Sequence, residues 1–163
     1  MTISVNNNEM LVFDFDFDRD HLLAFFNEHK QHGEPYQDKR FGRFVWKSWR
    51  IVRDIEIEYA DRINKHFDID GSPRFYILDS GTILPMHIDQ DTTCSLNFVL
   101  SENPAPIKFS SGNEYYYKTA LLNTSIKHGV DKTSGDRVLF KLSIKDEPFD
   151  VVKQKIINTL TRS

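Results

Sequence analysis

Three histidine–x–carboxylate pairs occur in the chain: His32-Gly33-Glu34, His66-Phe67-Asp68 and His87-Ile88-Asp89. On a strand, alternate residues project to one face, so both members of such a pair can reach one ion. A distant histidine would complete a set of two imidazoles and one carboxylate, which leaves open positions on Fe(II). Context separates the copies. His32 and Glu34 flank a glycine in an expected loop. His66 and Asp68 stand at an expected helix end, where residues i and i+2 diverge around the axis. His87 and Asp89 close an expected strand and so sit on a stiff element. The best third ligand is His128, 41 residues on. That interval holds about four short strands, enough to return the chain to the same end of a barrel. Nine residues later comes Arg137. On an expected final strand, its planar fork can aim at a carboxylate beside the metal.

The elements that position these residues are legible in the patterning. Val12 to Asp18 alternates strictly, which predicts a strand with Phe13, Phe15 and Phe17 on one face and Asp14, Asp16 and Asp18 on the other. Alternating Asp also opens a calcium loop. Counted from Asp14, however, Arg19 holds the glycine position and Phe25 that of the last ligand. A short helix is expected from about Asp20 to Gln31, with Leu22, Leu23, Phe25 and Phe26 inward. Residues 43 to 49 read as extended. A longer helix is expected from Arg50 to Phe67, because Ile51, Ile55, Tyr59, Ile63 and Phe67 recur every four residues.

After Pro73 the texture changes to short apolar runs between turn signals. The runs are Arg74 to Leu78, Ile83 to Ile88, Ser95 to Leu100, Ile107 to Phe109, Tyr115 to Leu122 and Val138 to Ile144. Such spacing predicts a sandwich or barrel. A last helix is expected from Phe149 to Leu160. Helices lead, strands follow and a helix closes, so the expected class is α+β. The expected division of one domain (1–163) is a supporting segment (1–73), a core (74–144) and a C-terminal helix (145–163).

Composition narrows the function classes. A chain of 163 residues suits a single domain, and 13 phenylalanines suggest aromatic packing. There is no apolar run of about 18 residues to span a membrane. Acids stand where a signal peptide would be apolar, so a cytoplasmic location is the default expectation. Cys94 is the sole cysteine, which excludes an intrachain disulfide and multi-thiolate metal sites. It reads as a small packing residue. The net charge of −3 gives no global pull toward nucleic acid.

The segments FYILDSGTILPMHIDQD, CSLNFVL and LLNTSIKHGVDKTSGDRVLFKLSI carry a family resemblance. Residues Arg74 to Ile144 resemble the double-stranded β-helix core (jelly-roll, cupin-like) of Fe(II)- and 2-oxoglutarate-dependent dioxygenases. They look most like small prolyl-hydroxylase and aspartyl/asparaginyl-hydroxylase members. The resemblance implies that His87, Asp89 and His128 are the catalytic iron ligands. It implies that Arg137, Tyr76 and Asn97 bind 2-oxoglutarate, with O2 as second co-substrate. The implied reaction hydroxylates an aliphatic C–H of a protein side chain or free amino acid and releases succinate and CO2. Ser143 stands where nucleic-acid-demethylating members carry a second arginine. Arg137 is not replaced by the lysine of collagen-type members. Asp131 departs from an asparagine often found in the aspartyl-hydroxylase pattern.

For the substrate, the stretch Lys39 to Arg53 contains six cations and no acid, interleaved with Phe41, Phe44, Trp46 and Trp49. Cations with aromatics can bind single-stranded nucleic acid. A solvated basic face is the reading that the acidic chain favours, so a peptide, protein or amino-acid substrate is expected. Arg43, Trp46 and Trp49 are the candidate substrate contacts. Two other classes stay open at this point. A cupin-like metal- or ligand-binding module without oxygenase activity would need neither Arg137 nor open iron positions. A metal-dependent hydrolase would need a nearby base, for which Asp91 is the candidate.

Overall fold

A computed structural model describes residues 2–32, 34–38, 43–50, 54–102, 105–132 and 134–162, and the side chains outside 34–56. The chain opens with β1 (Ile3–Asn6), β2 (Met10–Phe13), α1 (Arg19–His29), β3 (Glu34–Asp38), β4 (Arg43–Arg50) and α2 (Asp54–Phe67). The following strands are β5 (Ser72–Leu78), β6 (Leu84–His87), β7 (Cys94–Val99), β8 (Ile107–Phe109) and β9 (Glu114–Tyr115). Then come β10 (Thr119–Leu122), β11 (His128–Val130), β12 (Arg137–Ile144) and α3 (Phe149–Leu160).

These strands form two antiparallel sheets. The larger runs β1-β2-β10-β7-β12-β5-β4-β3 and the smaller β6-β11-β8-β9. With the three α-helices among the described residues, they make the α+β jelly-roll expected from the sequence.

Alternation along the central strands divides the molecule. On β12, Val138, Phe140, Leu142 and Ile144 join the core beneath the helices. Its other residues, Arg137, Leu139, Lys141 and Ser143, line a cavity facing the smaller sheet. β7 repeats the scheme. Cys94, Leu96 and Phe98 pack under the helices, whereas Val99 belongs to the core between the sheets. All six β7 residues are buried, as a strand covered on both faces requires.

The helix-side core is aromatic. Phe140 lies 5.2 Å from Phe75 and 6.0 Å from Phe98, centroid to centroid, and all three are fully buried. This layer fixes the back of the sheet whose front bears Arg137 and Lys141. Phe140→Ala is expected to lower stability by about 3–5 kcal/mol through lost transfer energy and a cavity. Urea denaturation checks this, and a loss under 1 kcal/mol would contradict the packing described.

Several expectations are corrected. The strand expected over Val12–Asp18 ends at Phe13. Asp14 N still donates across to Thr2 O at 3.0 Å, and beyond it the backbone bonds are local, from Phe17 N to Phe15 O and from Arg19 N to Phe17 O. Phe15 and Phe17 still pack on the core while the aspartates face outward. Asp18 accepts from the His21 amide and caps α1. The helix expected from Arg50 starts at Asp54, because β4 continues through Arg50. An acid at that N-terminus suits the helix dipole. Of the stripe, Tyr59, Ile63 and Phe67 are buried. Ile51 and the Ile55 side chain lie outside the described residues. The run Tyr115–Leu122 breaks into β9 and β10, as the chain crosses between sheets. Among the described residues, no helix is long and apolar enough to cross a membrane.

Candidate functional site

β6 and β11 bring two distant histidines together. They are antiparallel neighbours, and His87 and His128 are direct register partners. Their ring centroids lie 4.5 Å apart. Gly129 permits this approach. A Cβ there would meet Leu84 O at 2.7 Å and Met86 N at 3.1 Å, both backbone atoms of β6. Gly129→Ala is therefore expected to push β6 from β11 and weaken metal binding about tenfold or more, a 1.4 kcal/mol penalty on the bound geometry. Calorimetric titration with Mn(II) checks this. Unchanged affinity would mean the strand contact does not set the site.

Asp89 follows β6, and its amide donates to Thr124 O at 3.0 Å, which holds the turn in place. Asp89 Oδ1 lies 3.2 Å from His87 Nε2 and 3.3 Å from His128 Nε2. Each histidine points its Nδ1 at a main-chain carbonyl 2.7 Å away, Pro85 O for His87 and Ile126 O for His128. A carbonyl only accepts, so each Nδ1 carries the hydrogen and each Nε2 presents a lone pair. Two lone pairs and a carboxylate oxygen then face one point. Such a cluster repels itself unless a cation lies among them. The three candidate ligand atoms all fall within 4.8 Å of one another. Two nitrogens and one oxygen with an open side suit Fe(II) and related divalent ions.

The other carboxylate oxygen is also held. Lys141 Nζ lies 3.1 Å from Asp89 Oδ2 and 5.3 Å from the Tyr76 ring centroid. Burial works to raise the Asp89 carboxyl pKa. The Lys141 ammonium outweighs it and holds the group well below the usual carboxylate range. Burial likewise pushes the Lys141 ammonium down, and Asp89 more than restores it. The pair is charged, with Oδ1 left toward the histidines.

A second polar group lies deeper in the same cavity, whose volume is about 350 Å³. Arg137 is 2% exposed. It donates to Ala105 O at 2.8 Å and to Tyr117 Oη at 3.3 Å, and its Nε has no partner. Among the described residues, no carboxylate pairs with it. Asn97 donates to the same Tyr117 hydroxyl at 3.2 Å, while its own Oδ1 stays unsatisfied. A buried guanidinium without an anion is costly. A small dicarboxylate reaching from the metal point into this recess would relieve it. The residues thus fit both a divalent metal and 2-oxoglutarate.

The structure brings together all six sequence candidates of this centre, His87, Asp89, His128, Arg137, Tyr76 and Asn97, as cavity-lining residues. Arg43, Trp46 and Trp49 lie on β4, and their side chains fall outside those described, as do all of Lys39, Arg40, Phe41 and Arg53. Asp91 lines the cavity mouth, exposed and with φ 62°. Of the other histidine–x–acid copies, the His66/Asp68 pair diverges, and the Glu34 side chain of the His32 copy lies outside the described residues. His66 packs on Phe15, while Asp68 pairs with Lys155 at 3.6 Å. His32 ends a short 3-10 turn. Cys94 lies on the helix side of β7, where burial pushes its thiol up to about 11. Iodoacetamide at pH 8 should leave it unmodified in the native protein.

Sequence reasoning missed Tyr117 and Lys141. Lys141 was findable, since it falls four residues after Arg137 on an alternating strand and must share its face. Tyr117 stands between β9 and β10, where no periodicity marks it.

No family model matches the chain, and no curated protein sequence matches it. Solved structures do. A prolyl hydroxylase from Trichoplax adhaerens, in complex with a hypoxia inducible factor peptide fragment, aligns with a TM-score of 0.66 at 12% identity, covering 96% of this chain and 88% of that one. A prolyl-4-hydroxylase from Pseudomonas putida aligns at 0.58 and 12% identity, covering 86% and 94%. HygX from Streptomyces hygroscopicus, with nickel, 2-oxoglutarate and hygromycin B bound, aligns at 0.57 and 10% identity, covering 86% and 85%. Similarity at that level reports fold. The chain has the double-stranded β-helix (jelly-roll) fold shared by these two prolyl hydroxylases and HygX.

Proposed function

We propose that the protein is an Fe(II)- and 2-oxoglutarate-dependent dioxygenase that hydroxylates an aliphatic C–H of a protein side chain or free amino acid. The supporting observation is the pairing, in one cavity, of a convergent His-Asp-His set with a buried arginine that lacks an anion. A metal-binding module with no co-substrate would have no use for that arginine.

His87, Asp89 and His128 would hold the metal, with the cavity they line available to the co-substrate. Arg137 and the Tyr117 hydroxyl take the distal carboxylate of 2-oxoglutarate, and the free Asn97 Oδ1 orients a polar neighbour. Tyr76 walls the cavity beside Lys141. When bound, Fe(II), 2-oxoglutarate and O2 supply the oxidising chemistry, which yields succinate, CO2 and a hydroxylated substrate. Leu122, Val130 and Leu139 line the recess and exclude water from it. Arg43, Trp46 and Trp49 are proposed to contact the substrate. The peptide seen on the Trichoplax enzyme supports a peptide substrate. The chain is read as one domain with its core at 74–144, acting in the cytoplasm.

Aerobic protein with Fe(II) and 2-oxoglutarate should release succinate slowly alone and faster with its substrate. A peptide and amino-acid panel reports this. Absence of succinate under every condition would overturn the proposal.

A further inference from the structure

The cavity is far more basic than the chain around it. Arg74, Arg137, Lys141 and Lys145 line it, against the two carboxylates of Asp89 and Asp91. The whole chain carries −3. A divalent metal and the 2-oxoglutarate dianion cancel each other, so an excess of two positive charges remains with the inner site filled. Low-dielectric walls concentrate such a field on whatever enters.

The excess sits at one place. β5 and β12 pair Arg74 with Lys141 and Ser72 with Ser143. Directly opposed residues of an antiparallel pair share a face, and like charges so placed repel. Lys141 is compensated by Asp89 at 3.1 Å. Arg74 is half-buried and no acid pairs with it among the described residues. Lys145 continues the same face just past β12, and both serine hydroxyls lie between the two cations along it. This group is distinct from the Arg137 recess. Arg137 pairs with Leu78, and four strand residues, about 13 Å, separate it from Lys141. Yet Arg74 stands opposite the lysine that touches Asp89, so an anion held there shares one cavity with the His-Asp-His cluster.

We infer that Arg74, Lys145, Ser72 and Ser143 form a subsite for an oxyanion of the substrate, a carboxylate or phosphate group that anchors it next to the reacting C–H. The guanidinium fork supplies bidentate recognition and the hydroxyls complete the donor set. The assignment rests on the oxygenase reading for the identity of the occupant.

The test uses full-length protein with Mn(II) and 2-oxoglutarate under nitrogen. It is titrated separately with N-acetylaspartate and with methyl phosphate, and the tighter probe identifies the group. Saturable binding is expected for at least one. It should weaken tenfold or more in the Arg74→Gln/Lys145→Gln double variant, with 2-oxoglutarate affinity unchanged. The unchanged affinity also reports an intact fold. No saturable binding of either probe, or equal binding by the variant, would overturn the subsite. So would a parallel loss of 2-oxoglutarate binding, which would place Arg74 in the co-substrate site. Failure of the oxygenase reading would appear earlier, as no 2-oxoglutarate binding by the wild type.

Discussion

Arg137→Met is expected to weaken 2-oxoglutarate binding by about 10²- to 10³-fold, the loss that follows removal of one partner from a buried charge pair. Metal binding should be retained, because Arg137 touches none of the three ligand residues. Its polar contacts are Ala105 O and Tyr117 Oη. The unliganded protein should lose little stability, since the guanidinium is buried there without a carboxylate and its Nε is unsatisfied. Calorimetry with Mn(II), then with 2-oxoglutarate on the Mn(II)-loaded protein, separates the two affinities. If both fall together, Arg137 acts through the fold and not through the co-substrate.

Lys141→Met is expected to lower the stability of the metal-free protein by about 3 kcal/mol, because it strands the Asp89 charge in the cavity wall. About a sixth of each side chain remains accessible, which sets the value at the low end of that range. Metal should reverse the loss, since a dication at Oδ1 neutralises the same carboxylate. A thermodynamic cycle then makes the variant bind metal about 10²-fold more tightly than the wild type. Thermal melts with chelator and with Mn(II) read both effects. The sign against pH follows from Asp89, whose folded pKa is depressed. Its stabilisation is present above its unfolded value of about 4 and fades as pH falls below it. Wild type and variant should therefore converge in acid. A variant as stable as wild type in chelator at pH 7 would contradict this role.

Much of this site was legible because strand alternation is a strong constraint. His87-x-Asp89 at a strand end, the return to His128 and the placement of Arg137 followed from spacing and short apolar runs. Phe149–Leu160 was readable from its apolar period and is α3 as expected. Tertiary context hid the rest. VFDFDFD kept its alternating burial, yet its strand ends at Phe13 and after Asp14 its backbone bonds are local rather than to a partner strand. β11 is His-Gly-Val, too short for any period, though it carries a central histidine. β3 and β1 are likewise short, and neither presents an apolar run. Tyr117 lies between elements, where only the three-dimensional course of the chain brings it to Arg137.

The central claim is that His87, Asp89 and His128 hold a metal to which 2-oxoglutarate binds. Anaerobic protein with Fe(II) and 2-oxoglutarate should show a visible metal-to-ligand charge-transfer band that is absent with either alone. His87→Ala should abolish the band. No band in the wild type, or an undiminished band in His87→Ala, would contradict the account.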